Sequence, residues 1–231
     1  MPVKKLRLGV LVSGGGTNLQ AIIDACVAGK IPAEVVIVIS NNSDAFGLKR
    51  ARKHGIPAVH LSNKQHPMDE DLDKAIAEKL KEHHVDLVCF AGYMKKRGPA
   101  FLKEFPNRVL NIHPGPLPRF GGEGMHGHHV HEAVLKAGVK SSGPTVHIVD
   151  DRYDHGPILG HIEVPVLPGD TPDTLAERVL AQEHIIYADI IGKIARGEMN
   201  LDSICGHPKY KIGGEKEKPC GQAKTQPERK M

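Results

Sequence analysis

Aromatic residues are scarce in this 231-residue chain: tryptophan is absent, and Phe, Trp and Tyr together make up 4% of the residues. Proteins that bind single-stranded nucleic acid usually stack bases on aromatic rings, so that class of function has little support. A strong excess of one charge is also missing, because 31 Lys and Arg residues face 27 Asp and Glu residues, for a net charge of +4. The two signs are mixed along the main body, which fits a protein that handles a small anion better than a duplex binder. We therefore expect small-molecule substrates and no nucleic-acid partner.

Long apolar runs and cysteine pairs are missing as well. No segment approaches the roughly 18 apolar residues of a membrane span, and the apolar run in the start MPVKKLRLGVLVS is too short for a signal-peptide core. The four cysteines, Cys26, Cys89, Cys205 and Cys220, form no CxxC pair. Cys26 and Cys89 lie in apolar segments, where a reduced thiol packs as a small hydrophobe. These absences predict a cytoplasmic protein without a membrane partner.

Apolar runs alternate with helical patterns through the first half of the chain, which is typical of βαβ units. The runs are rich in Val and Ile and lack polar alternation, so they predict buried parallel strands with helices on both faces. The predicted strands are 6–12, 34–39, 58–61, 86–90 and 108–112, with helices over 18–28, 45–54 and 68–84. We therefore expect an α/β fold with a doubly wound, mostly parallel, Rossmann-like sheet.

The second half is expected to contain a helix over 128–137, extended segments over 143–149 and 157–166, and a long helix over 171–195. Thr171 followed by Pro172 is a favourable helix start, because Thr can cap the helix and Pro fits its first turn. From 204 onward the chain is rich in Lys, Glu, Gly and Pro, and such a segment cannot offset its ordering entropy by burial. The sequence thus predicts one domain over 1–203 and a flexible tail over 204–231. A nucleic-acid-binding arm is the alternative for the tail, which its interspersed glutamates weaken.

The first segment with chemical potential is a glycine-rich turn, Ser13 to Asn18, between a buried strand and a helix. Glycines let the backbone turn sharply and expose successive N–H groups, and the helix N-terminus adds a positive dipole end, so the turn can hold a phosphate. It is not a dinucleotide fingerprint, because Leu19 replaces the third glycine and no acid follows the second strand directly. The alternative is a turn that only closes a βα unit.

The second segment is RVLNIHPGPLP, in which Asn111 and His113 lie two residues apart at the end of a predicted strand. Side chains at that spacing point to the same side of a strand, and parallel sheets bind ligands beyond the carboxyl ends of their strands. A histidine exchanges protons near neutral pH, and an asparagine amide can donate to a developing oxyanion. The pair therefore predicts a proton-transfer centre, unless His113 only caps the strand or bonds a loop carbonyl.

The third segment is an acidic turn containing Asp150, Asp151 and Asp154, directly after a predicted strand. One of these carboxylates could orient an imidazole and stabilise its charged form, although acid-rich turns are usually solvated surface. Four nearby histidines raise the possibility of a metal site: His126, His128, His129 and His131. Their spacing matches no common zinc pattern and no cysteine is near, so we expect no metal.

Together these segments resemble the phosphoribosylglycinamide formyltransferases (GAR transformylases) of purine biosynthesis. The resemblance covers about residues 6 to 198 and rests on SGGGTNLQAIIDA, SNNSDAFGLKRARKHGIP, AGYMKKRGPAFLKEFPNRVLNIHPGPLP, GPTVHIVDDRYDHGPI and AERVLAQEHIIY, in that order. It implies a formyltransferase catalytic domain over 1–203 that transfers a formyl group from the co-substrate 10-formyltetrahydrofolate to the amine of glycinamide ribonucleotide. It implies no metal, and a monomer or homodimer.

The resemblance also implies residue roles. The catalytic residues would be Asn111, His113 and Asp154. Asn111 and a protonated His113 would stabilise the tetrahedral oxyanion, while Asp154 would support the imidazolium and relay the proton. The residues that bind the ribonucleotide would be Gly16, Thr17 and Asn18 at its phosphate and Glu183 at its ribose. The residues near the folate would be Met94, Lys95, Lys96, Arg97 and Asp151. Lys96 and Arg97 stand where many relatives carry apolar residues.

Other functions remain as alternatives. A formyltetrahydrofolate deformylase without its regulatory domain is the nearest, and release of formate without ribonucleotide would identify it. The related tRNA formyltransferases usually carry a second C-terminal domain. A nicotinamide oxidoreductase would need the glycine fingerprint and ribose-binding acid that are missing here. A non-catalytic nucleotide-binding module would bind without turnover.

Overall fold

A computed structural model describes residues 4–205 and contains a seven-stranded sheet with the strand order β3-β2-β1-β4-β5-β7-β8. The first five strands are β1 (Leu6–Val12), β2 (Ala33–Ser40), β3 (Ala58–His60), β4 (Leu87–Phe90) and β5 (Val109–His113). They pair in parallel. The remaining strands are β6 (Ser141–Ser142), β7 (Thr145–Ile148), β8 (Ile158–His161) and β9 (Val164–Pro165). The predicted α/β fold with a mostly parallel sheet is confirmed.

Seven helices belong to the described part of the chain. They are α1 (Thr17–Val27), α2 (Phe46–Lys53), α3 (Asp69–Glu82), α4 (Pro99–Glu104), α5 (His128–Lys136), α6 (Pro172–Ala195) and α7 (Leu201–Cys205). The predicted start of α6 is confirmed, because the Thr171 hydroxyl accepts from the Thr174 N–H and Pro172 occupies the first turn. None of the helices in residues 4–205 has the length and apolar character needed to cross a bilayer.

The sheet is covered on both faces because successive residues of its buried strands point to opposite sides. On one face, Leu8 and Val10 of β1 pack in an apolar cluster with helices α1, α2 and α6. On the other face, Leu11 packs in a second cluster with α3 and α4. Tyr187 of α6 lies fully buried in the first cluster, where its hydroxyl donates to the carbonyls of Phe90 and Leu110. These contacts attach α6 to the carboxyl end of β4 and to the first half of β5.

Three parts of the fold differ from or extend the sequence predictions. Strands β7 and β8 pair antiparallel to their neighbours, and β6 pairs with β9 in a separate two-stranded sheet. Helices α4 and α7 have six and five residues, too few to produce a helical periodicity in the sequence. Helix α7 also includes the first two residues of the predicted tail; the rest of that tail, 206–231, lies outside the described residues.

Candidate active site

A cavity of about 590 Å³ lies beyond the carboxyl ends of β4 and β5, where a parallel sheet is expected to bind ligands. Most of the site residues expected from the sequence line it: Asn18, Met94, Lys95, Lys96, Arg97, Asn111, His113, Asp154 and Glu183. Gly16, Thr17 and Asp151 are not part of its lining. The fold thus brings the expected catalytic trio and the end of the glycine turn to one cavity.

His113 at the end of β5 is 3% exposed and has an acceptor near each ring nitrogen. Its Nε2 lies 2.7 Å from the carbonyl oxygen of Phe120, and because a carbonyl can only accept, Nε2 carries the proton in the neutral ring. Its Nδ1 lies 3.4 Å from Oδ2 of Asp154. A second proton on Nδ1 would therefore meet a carboxylate, which is the arrangement that an imidazolium requires.

Burial lowers the pKa of His113, while the Asp154 charge and the Phe120 carbonyl act in the opposite direction without cancelling the effect. Removing a charged ring from water is costly, so a buried histidine favours the neutral form. The ring is accordingly mostly neutral near pH 7 in the ligand-free chain. A reaction that uses the protonated ring would have to form it from this neutral state.

Asp154 connects three segments around this ring. Its backbone has φ of 52°, in the left-handed region that a non-glycine residue rarely adopts. Its Oδ2 accepts the N–H of Gly122 at 3.0 Å, and its Oδ1 lies 3.5 Å from the Asn111 amide nitrogen. Burial alone would raise the pKa of Asp154, but the His147 ring, whose Nε2 lies 3.5 Å from Oδ1, the charge of His113 and the Gly122 N–H lower it below the ordinary value. The carboxylate is therefore ionised at neutral pH.

His147 is a site residue that the sequence reasoning missed. It lies on β7 opposite Asn111 in the antiparallel register and is 2% exposed. Its Nδ1 is 2.9 Å from the Ile148 carbonyl, so in the neutral ring that nitrogen carries the proton and Nε2 accepts from the Asn111 amide at 3.1 Å. This contact fixes which way the Asn111 amide faces. The motif TVHIVD contained the signal, but using it requires the antiparallel pairing of β7 with β5.

The glycine turn is joined to α6 by a buried polar pair. The Asn18 amide donates to Oε2 of Glu183 at 2.6 Å, and the two side chains are 7% and 8% exposed. Burial raises the pKa of Glu183, which the hydrogen bond from Asn18 only partly offsets. The Asn18 Oδ1 is buried and has no hydrogen-bond partner among the described residues. A buried acceptor left unpaired is costly, so this side chain fits a ligand that supplies a donor.

The residues expected near the folate differ in what they offer to a ligand. Met94 is 51% exposed, and the Lys96 ammonium lies 5.5 Å from the ring centre of the exposed Tyr153. Arg97 is 3% exposed instead, and its guanidinium forms a 2.9 Å ion pair with buried Asp73 of α3. Its charge is therefore engaged within the protein, although the residue lines the cavity. Asp151 is exposed to solvent outside the cavity lining.

The four histidines considered as metal ligands lie in different environments. His126 and His129 stack edge-to-face at 5.5 Å, His128 lies 3.2 Å from Asp173, and His131 is 4% exposed. Within residues 4–205, no group of three or more His, Cys, Asp or Glu side chains is arranged to hold a metal ion.

The chain is similar to known formyl transferases over most of its length. The family model described as formyl transferase matches residues 6–191. The phosphoribosylglycinamide formyltransferase of Escherichia coli (strain K12) is 40% identical over 196 residues, which cover 85% of this chain and 90% of that protein. The chloroplastic enzyme of Arabidopsis thaliana is 42% identical over 83% of this chain; the chain spans 66% of its length, just under two thirds. The structure of glycinamide ribonucleotide transformylase 1 from Symbiobacterium toebii superposes with a TM-score of 0.80 at 47% identity, covering 84% of this chain and 89% of that one.

Proposed function

The chain belongs to the formyl transferase family, among the phosphoribosylglycinamide formyltransferases, and we propose that it transfers a formyl group from 10-formyltetrahydrofolate to the amine of glycinamide ribonucleotide. The observation that carries the proposal is the grouping of Asn111, His113 and Asp154 on one cavity with the end of a phosphate-type glycine turn. The three polar side chains supply groups for proton transfer, and the glycine turn suits a phosphorylated acceptor. The step belongs to purine biosynthesis.

In the first step, the acceptor amine attacks the formyl carbon, a C–N bond forms, and the carbonyl electron pair moves to oxygen. We assign stabilisation of this oxyanion to the Asn111 amide and to His113. One Asn111 N–H donates to His147 Nε2 at 3.1 Å, which orients the amide before substrate binds, and the other faces Asp154 Oδ1 at 3.5 Å. We propose that this second N–H exchanges its long contact with Asp154 for the oxyanion. A donor fixed in advance avoids the cost of reorganisation when charge develops.

In the second step, the bond between the formyl carbon and the folate nitrogen breaks, and that nitrogen keeps the electron pair. The proton lost by the acceptor amine has to reach it. We propose that it moves through water and His113, whose Nδ1 faces the ionised Asp154 at 3.4 Å. The carboxylate stabilises the imidazolium while it exists, and the neutral ring is restored at the end of the cycle.

The substrate positions follow from the two ends of the cavity. We propose that Gly16, Thr17 and Asn18 bind the phosphate through backbone N–H groups and the start of α1. Glu183, held beside them by Asn18, would bind the ribose. The folate would lie along Met94, Lys95 and Lys96, with Arg97 acting on that segment through its ion pair with Asp73. Asp151, between the lining residues Asp150 and Arg152, stays a predicted folate contact.

We also propose a cytoplasmic location, because Cys26 and Cys89 are free thiols and reduced cysteines are usual there. A monomer or homodimer remains the prediction for the quaternary state, and sedimentation at several protein concentrations would measure it.

The test is a spectroscopic assay of purified protein with a 10-formyltetrahydrofolate analogue, run with and without glycinamide ribonucleotide. We expect deformylation of the folate only when the ribonucleotide is present, with formyl product in equal amount. Equal release of formate without the acceptor would identify a hydrolase instead. Binding of both ligands without any reaction would overturn the catalytic assignment.

A further inference from the structure

Helix α2 contacts the glycine turn through two successive backbone carbonyls. The Gly47 N–H donates to the carbonyl of Gly14 at 3.0 Å, and the Arg50 Nε–H donates to the carbonyl of Gly15 at 2.9 Å. A Cβ added to Gly16 would lie 2.7 Å from the Cα of Gly47, so turn and helix are in close contact. Both carbonyls are therefore held on the side of the turn that faces α2.

This arrangement determines where the neighbouring N–H groups point. In a planar trans peptide, the C=O and the next N–H point in opposite directions. With the carbonyls of Gly14 and Gly15 held toward α2, the N–H groups of Gly15 and Gly16 point away from it, on one common side. Successive N–H groups on one side form a concave anion site, and the start of α1 follows directly.

Three consecutive glycines cannot fix this geometry by themselves. Glycine adopts positive and negative φ with similar ease, so the peptide between Gly15 and Gly16 can rotate and present its carbonyl dipole to an anion. The guanidinium of Arg50 opposes that rotation. It is itself held by Gln20, whose Oε1 lies 3.3 Å from Nη1, and by the ring of Phe46 at 5.0 Å. A lysine ammonium lacks the rigid planar fork of the guanidinium, so it could not hold the Gly15 carbonyl and Gln20 Oε1 together in this geometry.

We propose that Arg50 is a positioning residue for the phosphate monoester of the acceptor: it fixes the Gly15 carbonyl so that the backbone N–H groups of the turn face the phosphate. The inference rests on the proposed function for the identity of the acceptor. A further observation points to a ligand at this turn, because the 7% exposed Asn18 lines the cavity with a buried Oδ1 that lacks a partner among residues 4–205.

Steady-state kinetics of Arg50→Met, Arg50→Lys and Arg52→Met test the proposal. Arg52 is an exposed arginine of the same helix, so its variant controls for lost charge. Arg50→Met loses the charge-assisted hydrogen bonds to the Gly15 carbonyl and to Gln20. We therefore expect it to raise KM for glycinamide ribonucleotide about tenfold or more. Its kcat at saturation should stay within about threefold of wild type, since the contacts are made with the phosphate in ground and transition states alike.

The controls separate this effect from a general loss of charge. KM for the formyl folate should not change, Arg50→Lys should be intermediate, and Arg52→Met should match wild type. A KM of Arg50→Met within about twofold of wild type, or a loss confined to kcat, would overturn the proposal.

Binding of inorganic phosphate separates this proposal from the proposed reaction. In thermal unfolding, phosphate should stabilise the wild type and Arg52→Met more than chloride at equal ionic strength does, and Arg50→Met should lose most of that difference. If the wild type shows this dependence on Arg50 but does not transfer formyl groups, the activity is wrong and the positioning role stands. If Arg50→Met is stabilised as strongly as wild type, or the wild type is not stabilised, the positioning role is wrong.

Discussion

Replacing Asp154 by Asn removes one charge from the proton-transfer centre and preserves its shape. The amide oxygen can keep the 3.0 Å hydrogen bond from the Gly122 N–H, and the amide nitrogen takes the place of Oδ1, 3.5 Å from the Asn111 amide nitrogen. What is lost is the attraction between the carboxylate and a protonated His113, whose Nδ1 lies 3.4 Å away. At that distance and an effective dielectric constant of about 20, the attraction amounts to about 5 kcal/mol.

If the imidazolium forms in the rate-limiting step, that loss corresponds to about 10³- to 10⁴-fold in kcat. The Asp154 side chain is 11% exposed, so water replaces part of the interaction, and we expect a fall of about 10³-fold with 10² as the lower bound. KM for both substrates should change little, because the contacts that Asp154 makes are with protein groups. Initial rates from the folate absorbance measure this, with Asp71→Asn on the exposed side of α3 as a charge-matched control.

The same substitution should lower the pKa of His113 further, since the Asp154 charge is one of the two groups that favour the protonated ring. A ring-proton NMR titration of both proteins measures the direction of the change. A kcat within about tenfold of wild type for Asp154→Asn, in a protein that folds normally, would refute the reasoning that the carboxylate stabilises an imidazolium.

Three further substitutions test other contacts. Glu183→Gln should raise KM for glycinamide ribonucleotide about tenfold, yet leave the free energy of unfolding at pH 7 equal or about 1 kcal/mol higher, because a neutral amide avoids burying an ionised group; kinetics and urea unfolding measure both. Burial, with the charges of His128 and His113, lowers the pKa of His131 to about 4. The unfolded chain binds that proton at a pKa of about 6.5, so stability falls as pH drops from about 6.5 to 4. His131→Gln should remove up to about 3 kcal/mol of that fall, measured by unfolding at pH 7.5 and 4.5; an unchanged pH dependence would contradict it. Tyr187→Phe removes one buried hydroxyl proton that the Phe90 and Leu110 carbonyls share and should cost about 1–3 kcal/mol in urea unfolding.

The sequence predicts most of the central sheet because its signal is local. Strand β1 is predicted over 6–12 and is found at Leu6–Val12, since a run in which Leu and Val occupy five of seven positions has few other conformations that bury it. Asn111 and His113 were expected to share a side from their spacing alone, and both line the cavity. Asp154 could not be chosen among its acidic neighbours from the residues alone, and the family resemblance was needed to select it.

What the sequence could not provide depends on contacts between distant segments. Nothing in the run of basic residues at 95–97 distinguishes Arg97, yet Asp73, 24 residues earlier, holds it in a buried ion pair. His147 resembles any histidine of a buried strand until β7 is paired antiparallel with β5. In both cases the partner lies on another element, and no periodicity along the chain indicates which one.

The loop at 120–122 shows why the proton-transfer centre depends on tertiary structure. The Phe120 carbonyl holds the proton on Nε2 of His113, and the Gly122 N–H binds the carboxylate that faces Nδ1. One short segment therefore selects the tautomer of the ring and orients its counter-charge. Burial by itself disfavours the charged form of a histidine. The position of this loop supplies the two partners that oppose that effect, so the site for an imidazolium exists only when the loop is folded in place. The proposed proton-transfer centre thus depends on the contact between β5 and two loops, although the residue pair that first indicates it lies on one strand.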